Sequence, residues 1–351
     1  YKDPGIQYRR EIVNLPCGAV CCLDWLDRYY GKREAPDNRP DVDSAHNKTV
    51  TSPIMVISHG NAGGATTDMA LHTAFYLKEH TDYTIVYLIH RGCGGSPLTT
   101  PCGMNPERIG DLQHVMGMLQ KRFPKATFLG HGMSLGGILM AKYAGVMAEK
   151  NPFTGMTVTG CPWEYKSYPP WYDCWSNETL LNKNKLYFRR NIGDFEAVSG
   201  KLGWPEMQFD KILAAKTIAE WNEYFVLPFS AENFKDVEEL YDAMSPVKWG
   251  KGHVKTPLLS VHAVDDPVTD TRYANNMRTM GHIGPRLATA VYGWGGHCCT
   301  FNFPWNQATT GSGFSVGDKG GAFAHYSPCH ADRLMVCFLD ACIEAKEKGL
   351  M

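Results

Sequence analysis

Gly132-Met133-Ser134-Leu135-Gly136 lies between an apolar run, Ala126 to Leu129, and a helix-like stretch, Leu135 to Glu149. A strand that turns abruptly into a helix forces its middle residue into a strained backbone conformation. Glycines two before and two after leave room for the tight crossing. The Ser134 hydroxyl is then held out at the sheet edge as a candidate nucleophile. The N–H of Leu135 points from the start of the helix toward the place where negative charge develops during acyl transfer. By itself the pentapeptide does not decide the matter, because strand-to-helix turns also carry Gly and Ser for packing alone.

The segments further along the chain add the partners that such a serine needs. Pro257-Leu258-Leu259-Ser260-Val261-His262-Ala263 reads as a buried strand and runs into Val264-Asp265-Asp266-Pro267-Val268, a carboxylate pair at a strand's end. A short strand from Ala288 to Tyr292 ends in Gly293-Trp294-Gly295-Gly296-His297. Each residue also has a plainer reading. Asp265 and Asp266 could cap a helix expected from Thr269 to Met280, and His297 could be a surface-loop histidine. Serine, acid and histidine each at the carboxyl end of a strand, in that order, favour a triad of Ser134, Asp266 and His297. Asp266, just before Pro-Val, is the expected acid, with Asp265 capping or orienting it.

Upstream, the strand-like run Ile54 to Ser58 leads into His59-Gly60-Asn61-Ala62-Gly63-Gly64. Its glycines let backbone approach a substrate closely, and the Asn61 N–H is the expected second half of the oxyanion hole beside Leu135. A phosphate-cradling loop would call for Gly-Lys-Ser/Thr or Gly-x-Gly-x-x-Gly spacing, and neither is present.

Strand and helix patterns alternate around these motifs. Ala19 to Trp25 suits an antiparallel opening hairpin, and the charged, proline-bearing stretch Gly31 to Lys48 reads as a loop. Then follow Ile54 to Ser58, Met69 to His80, Thr84 to Ile89, Pro106 to Arg122, Ala126 to Leu129, Leu135 to Glu149 and Gly155 to Gly160. Such alternation predicts an α/β fold, a mostly parallel sheet with helices on both faces and reactive groups at the strands' carboxyl ends. Cys161 to Trp249 interrupts it with helix and loop. Trp163, Tyr165, Tyr168, Trp171, Tyr172 and Trp175 crowd its start, and helical patterning covers Lys211 to Phe225 and Phe234 to Met244. The expected organisation is a core from 1–160, a lid insertion from 161–249, and the remaining core from 250–351. An aromatic-rich lid offers apolar surface to an acyl chain, although such aromatics also simply pack a lid onto its core.

These motifs carry a family resemblance. His59 to Gly64, Ile89-His90-Arg91-Gly92-Cys93-Gly94-Gly95-Ser96-Pro97, the elbow Gly132 to Gly137, Asp265-Asp266-Pro267 and Gly295-Gly296-His297 together resemble one branch of the α/β-hydrolase superfamily. The branch comprises abhydrolase-domain lipases and phospholipases, medium-chain ethyl ester synthases and bacterial carboxylesterases. The resemblance implies an eight-stranded α/β-hydrolase sheet with a helical lid insertion. It also implies Ser134 as nucleophile, His297 as base, Asp266 as its carboxylate, and the Asn61 and Leu135 amides as oxyanion hole. The implied reaction is hydrolysis of a small-molecule or lipid carboxylic ester, with acyl transfer to an alcohol as the variant using the same triad. A non-catalytic interaction protein on the same fold is the third class, and such proteins tend to lose a triad member. Asn61, Cys298-Cys299 and the glycine-rich stretch Gly311 to Gly321 depart from the branch's usual pattern and bear on substrate choice.

Composition bounds the remaining classes. With 351 residues and 44% hydrophobic content, the chain can bury a substantial core without cross-links. A formal charge of −1 offers no electrostatic footprint for nucleic acid. No apolar run reaches the ~18 residues of a spanning helix, and the resemblance leaves room for a membrane anchor upstream of Tyr1. The 12 cysteines do not demand a disulfide framework. Asn47-Lys48-Thr49 and Asn177-Glu178-Thr179 are acceptor sequons that matter only in a secretory compartment. Cys298, Cys299, His325, Cys329 and His330 lack metal-ligand spacing, so neither a metal nor another cofactor is expected.

Overall fold

A computed structural model describes residues 6–29, 51–165, 175–201, 203–269, 281–299 and 330–351. The stretch Gly31 to Lys48, most of the expected helix after Thr269, the glycine-rich segment near 311–321, His325, Cys329, Tyr168, Trp171 and Tyr172 lie outside the described residues, as do the first sequon and the side chains of Trp175 and Asn177.

The chain opens with an antiparallel hairpin, β1 (Ile6–Asn14) and β2 (Val20–Tyr29). It continues through β3 (Ile54–Ser58), α1 (Asp68–His80), β4 (Thr84–Ile89), α2 (Gly110–Arg122), β5 (Phe128–Met133), α3 (Leu135–Met147) and β6 (Phe153–Thr159). β7 (Leu258–Ala263), β8 (Leu287–Tyr292) and α10 (His330–Glu347) complete the core. Eight strands form one sheet in the order β1-β2-β4-β3-β5-β6-β7-β8. β2 pairs antiparallel with both neighbours, and every pairing from β4 onward is parallel.

The central strands are buried on both faces, and their side chains sort by the two-residue period of a strand. Met55 and Ile57 of β3 and Ile85, Tyr87 and Ile89 of β4 join the apolar cluster of the face that carries α1 and α10. Ile54, Val56, Val86 and Leu88 join the cluster of the opposite face, with Leu112 and Val115 of α2 and Ile138 and Leu139 of α3. The two clusters clamp the sheet and leave its carboxyl ends as a firm rim. This is the α/β architecture that the alternation predicts.

Between β6 and β7 run α4 (Trp175–Arg190), α5 (Ile192–Val198), α6 (Phe209–Ala214), α7 (Ile218–Trp221), α8 (Val237–Met244) and α9 (Pro246–Gly250). No strand occurs among the described residues of this stretch. Short helices have too little backbone cooperativity to stand alone, so packing holds them. Phe188 stacks on Phe195 with ring centroids 4.7 Å apart, Phe225 lies 5.2 Å from Phe188, and Trp221 lies 5.1 Å from Phe225. Polar contacts tie this cluster to the core. The Arg108 guanidinium donates to the Phe229 carbonyl at 3.2 Å and sits 5.6 Å from the Trp204 ring, while the Ala231 N–H donates to Glu107 Oε2 at 3.2 Å. Trp163, expected among the aromatics of the insertion, is buried against the core, where its Nε1–H donates to Ser260 Oγ at 2.9 Å.

Two helices differ from the periodicity reading. The helix expected from Pro106 begins at Gly110, because the preceding residues carry contacts to the insertion. The helical stretch expected over Lys211 to Phe225 is interrupted at Ala215 to Thr217 and resumes as α7 and a wider turn over Asn222–Val226. Thr217 caps the second piece by accepting the Glu220 N–H at 3.1 Å, one arm of a capping box. No helix among the described residues is long and apolar enough to cross a membrane.

Candidate active site

Ser134 is the residue between β5 and α3, with φ 52° and ψ −117°. That conformation is uncommon for a residue bearing a Cβ and persists only where the surroundings enforce it. Here they do. A Cβ on Gly132 would lie 2.4 Å from the Gly136 carbonyl oxygen, and one on Gly136 would lie 2.2 Å from the Ser58 carbonyl oxygen. The elbow therefore crosses itself and the end of β3 backbone against backbone. The Ser134 N–H donates to the Thr159 carbonyl at 2.9 Å, anchoring the turn on the end of β6.

The acid and histidine loops anchor on the same strand end. Thr269 Oγ1 donates to the Gly160 carbonyl at 3.0 Å, and the Cys298 thiol sits 3.4 Å from the Thr159 carbonyl. A Cβ on Gly160, whose φ is +55°, would lie 2.8 Å from the Cys298 nitrogen. Three loops from distant parts of the chain thus share one hub. Their side chains meet there: His297 Nε2 lies 2.8 Å from Ser134 Oγ, and His297 Nδ1 lies 3.0 Å from both oxygens of Asp266. Asp266 is an acceptor, so the Nδ1–H donates to it and Nε2 is left to accept the serine proton. Asp266 Oδ1 also accepts the N–H groups of Val268 at 2.7 Å and Thr269 at 3.0 Å, which fixes the carboxylate's orientation. Asp265 faces elsewhere and accepts the Gly296 N–H at 2.9 Å, bracing the histidine loop.

Burial disfavours the His297 imidazolium, but the neighbouring Cys298 sulfur and the Asp266 carboxylate outweigh it and hold the pKa above its ordinary 6.5. The other histidines near the site behave differently. His59 and His131 are buried, and burial pushes each down to about 4. His131 Nδ1 bonds Thr157 Oγ1 at 2.8 Å, and both rings stay neutral parts of the scaffold.

Leu135 is the first residue of α3, and its N–H belongs to the unpaired donors of the helix's first turn. Asn61 sits on the loop beside it, since the carbonyls of Ser58 and His59 pack against Gly136. Asn61, Ser134 and Leu135 line one cavity of 370 Å³. Its apolar wall comes from Ile138 on α3 and from Tyr187, Trp221, Phe225 and Val226 of the insertion. Among the lining residues that sequence reading missed are Asn184 and Tyr187. Their side chains act across the fold, on partners that lie 123 and 96 positions away in the sequence.

The Arg-Gly-Cys-Gly-Gly-Ser-Pro block packs beside the loop that carries Asn61. A Cβ on Gly64 would lie 3.1 Å from the Gly94 Cα, so the two glycine-rich loops touch. Arg91 is fixed below by a two-pronged ion pair with Asp111, at 2.7 and 2.6 Å. Among the described residues no group of three His, Cys, Asp or Glu side chains is arranged to hold a metal ion. Cys21, Cys22, Cys93, Cys102, Cys161 and Cys298 are buried free thiols.

Sheet order, elbow and connected side chains define the class: the chain has the α/β-hydrolase fold. An esterase of Pyrococcus furiosus superposes with a TM-score of 0.50 at 15% identity, covering 86% of each chain, which shows the shared fold. Among curated proteins, the chain is similar to the human phospholipase ABHD3, at 25% identity over 310 residues, 88% of this chain and 70% of that protein. It is also similar to the medium-chain fatty acid ethyl ester synthase/esterase 2 of Saccharomyces cerevisiae, at 25% over 313 residues, 74% of this chain and 68% of that protein. The monoacylglycerol lipase of the same yeast is 24% identical over 298 residues, 75% of this chain and 63% of that protein. No protein-family model matches the chain. The relatives are lipases, phospholipases and esterases, which supports an ester hydrolase.

Proposed function

We propose that this protein is a serine hydrolase that cleaves carboxylic esters through an acyl-enzyme on Ser134. The observation that carries the reading is His297, 2.8 Å from the Ser134 hydroxyl on one side and 3.0 Å from Asp266 on the other. Ser134 Oγ attacks the ester carbonyl carbon while His297 Nε2 takes its proton, and Asp266 stabilises the imidazolium that forms. The amides of Leu135 and Asn61 receive the oxyanion. Collapse of the tetrahedral species breaks the bond to the alkoxy oxygen, which leaves as alcohol with the proton from His297. Water, activated by the same imidazole, then releases the acid.

Substrate class follows from the cavity. Its 370 Å³ falls within the ~300–1,000 Å³ of small-ligand sites, and its aromatic and aliphatic residues suit an acyl chain. Medium-chain acyl esters, including acylglycerols and phospholipids, are the class that fits this wall and the similarity to the phospholipase, the ester synthase/esterase and the lipase. In this reading 161–249 is the lid, joined to the core segments 1–160 and 250–351, and supplies most of the acyl wall. Similarity to an ester synthase/esterase supports alcohol as a second acceptor for the acyl-enzyme.

A panel of p-nitrophenyl esters from acetate to palmitate tests the proposal. We expect turnover to peak at intermediate chain length and Ser134→Ala to lower it by about 10⁶-fold. Added ethanol should divert part of the product to the ethyl ester if alcohol serves as acceptor. A folded Ser134→Ala protein with the parent's turnover would refute the assignment.

A further inference from the structure

The first helix of the insertion reaches the loop that carries Asn61. Asn61 Nδ2 donates to Asn184 Oδ1 of α4 at 2.6 Å, a bond between residues 123 positions apart. Both residues line the cavity that holds Ser134. What this bond does depends on how the rest of the loop is held.

The loop is pinned on its inner side and strained at its tip. The Gly63 N–H donates to the Gly60 carbonyl at 3.1 Å, closing a tight turn with Asn61 and Ala62 at its centre. Ala62 has φ 51°, a left-handed conformation that is strained for a residue with a Cβ. Underneath, the His90 N–H donates to His59 Nε2 at 3.2 Å, which leaves Nδ1 as the protonated nitrogen, and Nδ1 donates to the Gly60 carbonyl at 2.7 Å. Gly60 is therefore fixed from below. The Asn61 N–H lies in the same planar peptide as the Gly60 carbonyl, so its direction follows from how the whole turn sits, and the Asn61 side chain is the handle that fastens the turn from the side of α4.

α4 is a firm place to fasten that handle. Tyr187 Oη donates to the Arg91 carbonyl at 2.9 Å and accepts the Met104 N–H at 3.3 Å. Asn191 Nδ2 donates to the Gly92 carbonyl at 3.0 Å. Asn184, Tyr187 and Asn191 fall at i, i+3 and i+7, one face of the helix. A Cβ on Gly103 would lie 2.4 Å from the Tyr187 hydroxyl and one on Gly92 would lie 2.8 Å from it, so bare backbone admits the tyrosine.

We propose that Asn184 is a positioning residue for the reaction: through the Asn61 side chain it holds the Asn61 peptide N–H toward the developing oxyanion. The inference rests on the reading of Ser134 as nucleophile and Asn61 as oxyanion donor. It makes α4 part of the catalytic geometry, whereas a lid helix otherwise only shapes the substrate cavity.

The test compares Asn184→Leu, Asn184→Ala, Asn61→Ala, the double variant Asn61→Ala/Asn184→Ala, Asn191→Ala and Ser134→Ala in the full chain, with folding checked by thermal melting. Two readouts are used: kinetics on p-nitrophenyl butyrate, and inhibition by an alkyl trifluoromethyl ketone, which adds the serine oxygen to its carbonyl carbon and places an oxyanion in the hole. Removing the Asn184 side chain should lower kcat by about 10- to 100-fold with KM within about threefold, and weaken the ketone by the same factor as kcat/KM. The double variant should be no worse than either single one, since all remove one bond. Asn191→Ala, which removes one of the bonds that hold α4 but leaves the Asn184–Asn61 bond in place, should lower kcat by clearly less than Asn184→Ala does. The proposal is overturned if folded Asn184 variants keep the parent's kcat, if kcat falls without loss of ketone affinity, or if Asn191→Ala costs as much. Should Asn184→Leu not fold, Asn184→Ala and Asn61→Ala read the same bond. A Ser134→Ala protein with parental turnover would instead remove the underlying reading, whatever the Asn184 variants do.

Discussion

The rim of the sheet and the helices that cover it meet at one cavity, yet different physics holds them. At the rim, backbone touches backbone, with Gly132 against Gly136, Gly136 against Ser58 and Gly160 against Cys298. There is no slack for even a methyl group. The insertion is held by large rings such as Phe188, Phe195, Trp221 and Phe225, packed at centroid distances of 4.7 to 5.9 Å. Ring packing tolerates exchange of one apolar shape for another far better than a backbone crossing tolerates a Cβ. The division teaches that chemistry can stay fixed at the rim while the cavity wall above it changes.

The contrast is open to test by substitutions of opposite size. Gly136→Ala adds one methyl, whose carbon would lie 2.2 Å from the Ser58 carbonyl oxygen. We expect kcat/KM on p-nitrophenyl butyrate to fall by about 10²-fold or more, with stability in urea lowered by about 3 kcal/mol. Trp221→Leu removes much of an indole from the cavity wall, and here we expect about a tenfold rise in KM for the octanoyl ester with kcat changed by less than about threefold. If the methyl at residue 136 proved harmless while the lost ring at residue 221 abolished turnover, the roles given to rim and insertion would be reversed.

A smaller effect separates the two regions by pH. In the proposed mechanism His297 must be neutral to accept the serine proton, and it is held above its ordinary 6.5 by Cys298 and Asp266 against the opposing effect of burial. Activity should therefore rise with pH along an acid limb of kcat/KM centred above pH 6.5 and be lost below it. Cys298→Ala removes one of the two raising influences and should move that limb to lower pH. Trp221→Leu should leave it in place. A limb that is unmoved by Cys298→Ala would mean that the sulfur does not act on the imidazole.

Legibility in the sequence followed the same division. β3 and β4 match the expected spans Ile54 to Ser58 and Thr84 to Ile89 because an apolar run between turn signals has few other uses. The elbow was readable because a backbone crossing leaves glycine as its trace. β5 extends beyond the apolar run to Met133, through Gly130, His131 and Gly132, and hydrophobicity alone ends too early there. The insertion was harder. Pro106 to Ile109 are pulled out of α2 by partners more than a hundred residues away, Ala231 and Phe229. The break before α7 did have a local sign, the sequence Thr217-Ile218-Ala219-Glu220, in which Glu220 Oε2 accepts the Lys216 N–H at 2.6 Å and Thr217 caps the helix. Asn184 had none, since its meaning depends on a loop that only the fold brings near.

All of this depends on one nucleophile. Incubation with an alkyl fluorophosphonate, which loses fluoride as the serine oxygen bonds phosphorus, followed by peptide mass spectrometry, reads it directly. We expect one adduct on the peptide carrying Ser134, none in folded Ser134→Ala, and labelling slowed by at least about 10²-fold in His297→Ala. An adduct on another residue, or undiminished labelling of Ser134→Ala, would show that the chemistry lies elsewhere in the molecule.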